Sequence, residues 1–274
     1  MNNELAILDD APLKDERVLM EYPFFSLEKT PRTTPIVYRD GEEVQIRVEP
    51  SREEVGIATI WDKGILIYVA SLLNDLIERG QPHSPTVTFP ARDCLTAIGW
   101  NDSGAAYQAF RAALERLRLT SVYTTIKAGG IIEEGAAGWI TDWRIVREDK
   151  NGRSVMVGVE ITLNRWLYRA IVKDRRVLTI NPAYFRLTMG LERRLYEIAR
   201  KHCGQQKRWQ IGLPRLAEKC GTTRDLRHFK ADLCKAIERA RLPEYEISLI
   251  VPAKGRKLEL LQVLFTRRQL VESA

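Results

Sequence analysis

The chain has 274 residues, of which 45% are hydrophobic and 29% charged, and a formal net charge of +7. That balance excludes a disordered chain, and the length allows two ordinary domains, each with its own core. No apolar run reaches the roughly 18–20 residues that a membrane span needs; the longest, Gly64–Leu73, is followed by Asn74, Asp75, Glu78 and Arg79.

Met1 to about Arg17 is acidic, polar and unpatterned. It lacks the basic start and apolar centre of a signal peptide and reads as a loose tail. Leu19–Phe25 (LMEYPFF) should dock on the folded body, and Lys29–Pro35, with two prolines, is a loop. Ile36–Tyr38 and Val44–Val48 alternate about Asp40-Gly41 as a β-hairpin does. Ile57–Arg79 is predicted as one long core helix with a break near Lys63-Gly64. Strand Thr86–Phe89, helix Ala91–Ile98 closed by Gly99, helix Ser103–Arg118 and strand Thr120–Ile126 come next. Lys127–Gly138 is a Gly-rich loop. Trp139–Val146 and Ser154–Ile161 are strands about the Asn151-Gly152 turn. Helix Asn164–Lys173, strand Val177–Ile180 and connector Pro182–Leu187 lead to a second run. It holds helix Gly190–Cys203, strand Trp209–Ile211, two further helices, and strands Tyr245–Val251 and Leu258–Phe265 flanking the basic tip Pro252–Lys257.

The two further helices lie in Gly212–Arg241. Pro214 suits a first helical turn, Gly221 suits a left-handed helix end, and Thr222 or Thr223 can cap the next helix. In that second helix, expected over Thr223–Arg239, the residues Leu226, Phe229, Leu233 and Ile237 share one face. Arg224, Arg227, His228 and Lys235 project from the other, as on a helix-turn-helix recognition helix. The plain alternative is a solvated basic surface helix. Local charge favours DNA: from residue 191 to 242, fourteen Lys/Arg stand against six Asp/Glu, a net of +8, while the whole chain carries +7. The remainder is near neutral, and cations gathered in one segment point to a polyanion.

The halves repeat. Phe110-Arg111-Ala112-Ala113-Leu114 in the first matches Phe229-Lys230-Ala231-Asp232-Leu233 in the second, and each comes after a strand, a proline (Pro90, Pro214), a short helix and a glycine (Gly99, Gly221). The expected fold is α+β: two tandem winged-helix domains with an N-terminal tail and β-hairpin. The expected divisions are 1–50 for tail and hairpin, 51–180 for a first domain, and 181–274 for a second, main DNA-binding domain. The first domain offers weaker DNA contact through Gln108 and Arg111 and is assigned self-association. In the second, Arg224, Arg227 and His228 are expected at base edges, with Thr223 and Lys230 beside them. Lys235 and Arg239 are expected at phosphate, and Lys254, Arg256 and Lys257 on the wing at backbone or minor groove.

Enzyme chemistry is not indicated. There is no GxxxxGK[ST] loop, and Gly129-Gly130 and Gly135 stand beside Glu133 and Glu134, which repel phosphate. His83, His202 and His228 form no His-x-His pair. Tyr168, Tyr184 and Tyr196 read as packing residues, as do Trp61, Trp139, Trp143 and Trp166. Cys203, Cys220 and Cys234 lack the spacing of a zinc knuckle. We therefore expect no cofactor, no metal, no catalytic residue and a reduced, cytoplasmic setting.

Three stretches carry a family resemblance: Tyr22-Pro23-Phe24-Phe25-Ser26-Leu27, Gly56-Ile57-Ala58-Thr59-Ile60-Trp61-Asp62 and Arg193-Arg194-Leu195-Tyr196-Glu197-Ile198-Ala199-Arg200. With these, the chain resembles the plasmid replication initiator protein A family from about Tyr22 to Phe265. The resemblance implies binding to double-stranded repeats at an origin, duplex opening, recruitment of a host initiator and replicative helicase, and dimerisation. The alternative is a winged-helix transcriptional repressor without initiator activity.

Overall fold

A computed structural model describes residues 5–8, 11–150, 153–252 and 257–268. The chain begins with strand β1 (Lys14–Glu16) and helix α1 (Arg17–Glu21). Then come hairpin β2 (Ile36–Asp40) and β3 (Val44–Pro50), helix α2 (Lys63–Glu78), strand β4 (Thr86–Phe89), and helices α3 (Ala91–Ala97) and α4 (Gly104–Leu119). Strands β5 (Thr120–Thr124) and β6 (Ala136–Ala137) complete the hairpin's sheet in the order β2-β3-β5-β6. Strands β7 (Ile140–Lys150) and β8 (Arg153–Leu163), helix α5 (Arg165–Val172) and strand β9 (Val177–Thr179) close the first half. The second half holds α6 (Gly190–His202), β10 (Arg208–Gly212), α7 (Leu213–Cys220), α8 (Leu226–Arg239), β11 (Tyr245–Ile250) and β12 (Gln262–Arg267).

Topology confirms the repeat. The three-stranded sheets are ordered β4-β8-β7 and β10-β12-β11, so in each the first strand pairs with the third and the third with the second. Both follow the order helix, strand, helix, helix, strand, strand, with β5 and β6 of the hairpin's sheet inserted after α4 in the first. These are two tandem winged helices. On α4 the face of Phe110, Leu114 and Leu117 is buried; of the expected face on α8, Phe229 and Leu233 are buried and Leu226 and Ile237 half-buried, with Ala236 buried beside them.

Three expectations need correction. Residues 11–17 are not a loose tail. Strand β1 pairs antiparallel with β9, and Leu13, Asp15 and Glu16 are buried. The polar pattern misled because its partners are remote: Lys14 N–H donates to Ser71 Oγ at 2.7 Å, and Lys63 Nζ meets Asp15 Oδ2 at 2.6 Å. Helix α2 starts at Lys63, not Ile57. Thr59 and Asp62 close a turn, with Thr59 N–H on Asp62 Oδ2 at 2.7 Å, while Ala58 N–H donates to Thr120 Oγ1. Ile57, Ala58 and Ile60 are apolar because they are buried, not because they are helical. Leu258–Leu260 is a 3-10 turn, and the last strand begins at Gln262.

The strap formed by β1 and α1 lies at the junction of the halves, where charged groups are sealed from water. Lys63 of α2 meets Asp15 and, at 2.8 Å, Glu197 of α6. Arg194 pairs with Glu197 at 2.9 Å and donates to the carbonyls of Leu19, Met20 and Lys219. Tyr184 Oη donates to Glu197 at 2.7 Å. Glu16 caps α1 by accepting from Val18 and Leu19 N–H. Burial pushes the Glu16 carboxyl up to about 8 and the Asp15 carboxyl up to about 6. A carboxyl raised on folding keeps a proton that the unfolded chain has released, so stability is greatest at low pH and falls as pH rises toward the folded value. For Glu16 the loss between pH 6 and 8 is about 2 kcal/mol, at 1.36 kcal/mol per unit. Glu16→Gln, uncharged throughout, should flatten that decline; thermal melts at pH 6, 7 and 8 that fall in parallel for variant and wild type would refute it.

Candidate nucleic-acid interface

Each half presents one amphipathic helix after a helix and a turn. In the second half the turn is set by Gly221, which takes φ +66° as the C-cap of α7. A Cβ there would also lie 2.7 Å from Pro23 Cβ, so strap and turn meet at a glycine. Arg32 fastens the same turn from outside, donating to Gly221 O at 3.0 Å and to the carbonyls of Thr34 and Pro35.

Helix α8 starts later than expected. Its cap is Asp225, which accepts from His228 N–H at 2.9 Å, and neither Thr222 nor Thr223 serves. The threonines instead sit in the turn, where Thr222 Oγ1 accepts from Arg224 N–H. Asp225 wins because a carboxylate at a helix start satisfies free N–H groups and the positive end of the dipole together. Its bonds to His228 hold its carboxyl below the usual range.

The expected site residues divide into three groups. Arg227 and Lys230 lie on α8 and form no ion pair with described residues; Arg227 is exposed in the first turn. Four others are engaged within the protein. His228 Nδ1 is 2.8 Å from Asp225. Arg224 precedes the helix, and its guanidinium is paired with Asp232. Lys235 Nζ lies 3.5 Å from the same carboxylate. Arg239 Nε lies 2.9 Å from Glu192, with Nη2 on Thr188 Oγ1. Glu192 is fully buried, so Arg239 joins α8 to α6 rather than standing free. Thr223 is exposed in the turn and Lys257 at the start of the 3-10 turn; Lys254 and Arg256 lie outside the described residues.

The basic segment is less open than its charge count implies. Arg193, Arg194 and Lys219 are buried. Arg193 lies over the rings of Trp61, Tyr184 and Phe185, and Lys201 pairs with Glu21 at 2.6 Å. Part of the +8 therefore holds the halves together. A buried arginine and an exposed one look alike in a charge tally.

The first half is better supplied than expected. Gln108 and Arg111 are exposed on α4, with Ala105, Ala109 and Ala112 around them. A cavity of about 330 Å³ opens between α3, α4 and β7, floored by Phe110 and Ile145 and edged by Arg92, Arg111 and Arg147. Arg111 and Arg147 are exposed and form no ion pair with described residues, and Arg92 reaches exposed Asp102 at 3.2 Å. Neither Arg92 nor Arg147 stands out in the sequence, because one is on the short helix and the other on a strand. Only the fold brings them beside Arg111.

Among the described residues no group of three or more His, Cys, Asp or Glu is placed to hold a metal ion. Cys94, Cys203 and Cys220 are buried free thiols and Cys234 is half-buried. No helix among these residues is long and apolar enough to cross a membrane.

Known proteins share this arrangement. The chain superposes on the crystal structure of domains 2 and 3 of RctB with a TM-score of 0.61 and 16% identity, covering 89% of this chain and 94% of that one. It superposes on the Pi initiator protein, solved in complex with iteron DNA, with a TM-score of 0.53 and 18% identity, covering 84% of this chain and 100% of the other. A putative replication protein of Wigglesworthia glossinidia brevipalpis is 35% identical over 249 residues, which is 89% of this chain and 88% of that protein. The family model for Replication initiator protein A matches residues 14–247, from the strap through the first winged helix and on through α8 of the second to the start of β11, and the chain belongs to that family.

Proposed function

We propose that the chain initiates plasmid replication by binding repeated double-stranded sequences at an origin, promoting opening of the duplex there and recruiting the host's initiator and replicative helicase. The observation that carries this reading is the pairing of two winged helices in a chain of an initiator family. Each has a solvent-facing helix whose cations include some with no counter-ion among the described residues. A helix of this kind fits the major groove, where arginine reaches guanine O6 and N7 together. Cations flanking it meet phosphates and set register. The likeness to a protein solved with iteron DNA supports the same partner here. The natural division is 51–180 and 181–274, with the 1–50 segment packed against both. Self-association falls to the first half, where β2 is an open sheet edge and Val37 is 62% exposed.

The test is binding of purified protein, titrated with salt, to a duplex carrying the repeats of its own replicon and to a scrambled duplex of equal length. Preference for the repeats is expected. Equal, steeply salt-dependent binding to both would reduce the protein to a basic architectural factor. A plasmid that carries the origin alone should replicate when the chain is supplied in trans, which a repressor would not support. The reading includes no catalytic step, so magnesium and supercoiled origin DNA should yield no nicks. The second half should hold DNA more tightly than the first: Arg227→Ala should weaken binding more than Arg111→Ala, and the reverse order would transfer the main contact to the 330 Å³ arginine cavity.

A further inference from the structure

Asp232 is unusual on the face of α8 that borders the turn. It lies mid-helix, where aspartate is a weak helix former, and it caps nothing. Its partners are two cations, one in the turn before the helix and one on it: the Arg224 guanidinium and, at 3.5 Å, Lys235 Nζ. Arg224 stands two residues before the helix and Asp232 two turns into it. The arginine side chain therefore reaches forward along the helix flank. Arg224 and Asp232 also line one cleft of about 440 Å³ with Thr222, Thr223 and Phe229. Only Nη1 of Arg224 is bonded to the carboxylate, which leaves the Nη2 and Nε edge of the guanidinium for an acceptor.

We infer that Asp232 is a positioning residue of the DNA interface: it holds the Arg224 guanidinium in one place, from which its free edge reads a base, and it lowers the attraction of that arginine for any passing phosphate. A free arginine must give up rotamer freedom when it docks, whereas one already fixed has less to lose. The carboxylate also repels backbone that is not in register. Both effects favour the correct sequence over random DNA, so Asp232 acts on discrimination more than on affinity.

This rests on the origin-binding reading, and its test is built to fail separately. The probes are a duplex carrying the replicon's repeats and a scrambled duplex. Asp232→Asn should lower the ratio of the two affinities about tenfold, near the low end of what one base-reading pair provides, with binding to the scrambled duplex unchanged or tighter. Arg224→Ala should lower the ratio similarly, and the double variant no further, because the two residues act as one unit. Lys235→Ala, which leaves Arg224 and Asp232 together, should keep the ratio. If Asp232→Asn tightens both duplexes by one factor, the residue merely repels DNA and the inference is wrong. It is equally wrong if the ratio does not move, or if Lys235→Ala lowers it as much. A wild type with no preference for repeats sinks the origin-binding reading and this inference together. A discriminating wild type with an unchanged Asp232→Asn sinks the inference alone. Thermal melts of each variant identify any that fails to fold, and for such a variant the comparison passes to Asp232→Glu, which keeps the charge and should keep most of the ratio.

Discussion

Arg194→Met is expected to destabilise the protein by about 3–5 kcal/mol, the usual result of removing one partner from a buried ion pair. The side chain is 3% exposed and makes five contacts that methionine cannot: two to Lys219 O, one each to Leu19 O and Met20 O, and one to Glu197. Its loss takes a donor from three carbonyls, of which Leu19 O keeps Lys63 Nζ at 3.3 Å, and leaves Glu197 with Lys63 and Tyr184. The contacts come from the strap, from α6 and from the end of α7, so one substitution loosens the strap, the second half and the turn that precedes α8. Arg194→Lys should recover little, because a single ammonium cannot reach carbonyls on opposite sides as a planar fork can. At a few degrees per kcal/mol, the midpoint of thermal unfolding should fall by on the order of 10 °C. A loss under about 1 kcal/mol, or full recovery by lysine, would show that the junction is held by apolar packing instead.

Arg227→Ala is expected to lower affinity for the repeats by about 1–3 kcal/mol and to relax specificity at one base, while Lys230→Ala should weaken all sequences alike and reduce the salt slope by about one. The two residues differ in place. Arg227 projects from the exposed first turn of α8, the part of a recognition helix that reaches base edges. Lys230 lies on the flank, half-buried, where its ammonium suits a phosphate. Neither must break an ion pair with a described residue before it can bind, unlike His228, Lys235 and Arg239. Competition binding against single-base variants of the repeat separates the roles. If Arg227→Ala reduced binding to target and scrambled DNA by the same factor, it would be a phosphate contact and not a reader.

Much of the fold is legible in the sequence because it is written in local chemistry. Leucine and phenylalanine at spacings of three and four place α4 and α8. Gly99 and Gly221 mark the ends of α3 and α7 with positive φ. The repeated order of elements foretells two winged helices, and the matching strand orders bear it out. Where local signals failed, a remote partner overrode them. The polar segment at 14–16 becomes a strand because β9, Lys63 and Ser71 receive it. The run at 57–62 is not helical because Arg32 O, Thr120 Oγ1 and Ser26 O take the N–H groups of Ile57, Ala58 and Ile60.

The site divides along the same line. Periodicity on a single helix is enough to establish that two helices of the right shape exist, that cations crowd the second, and that Arg227 faces outward. Which cations are available to a partner is settled by the packing of the whole chain. Arg193, Arg194 and Lys219 are spent inside, Arg239 on Glu192 and Lys235 on Asp232, whereas Arg224 gives Asp232 one nitrogen and keeps one edge free. Arg92, Arg111 and Arg147, far apart in the chain, gather on one cavity. The difference is one of range. Helix formation is settled within a few residues, whereas the worth of a charge depends on burial and on counter-charges that stand far away along the chain.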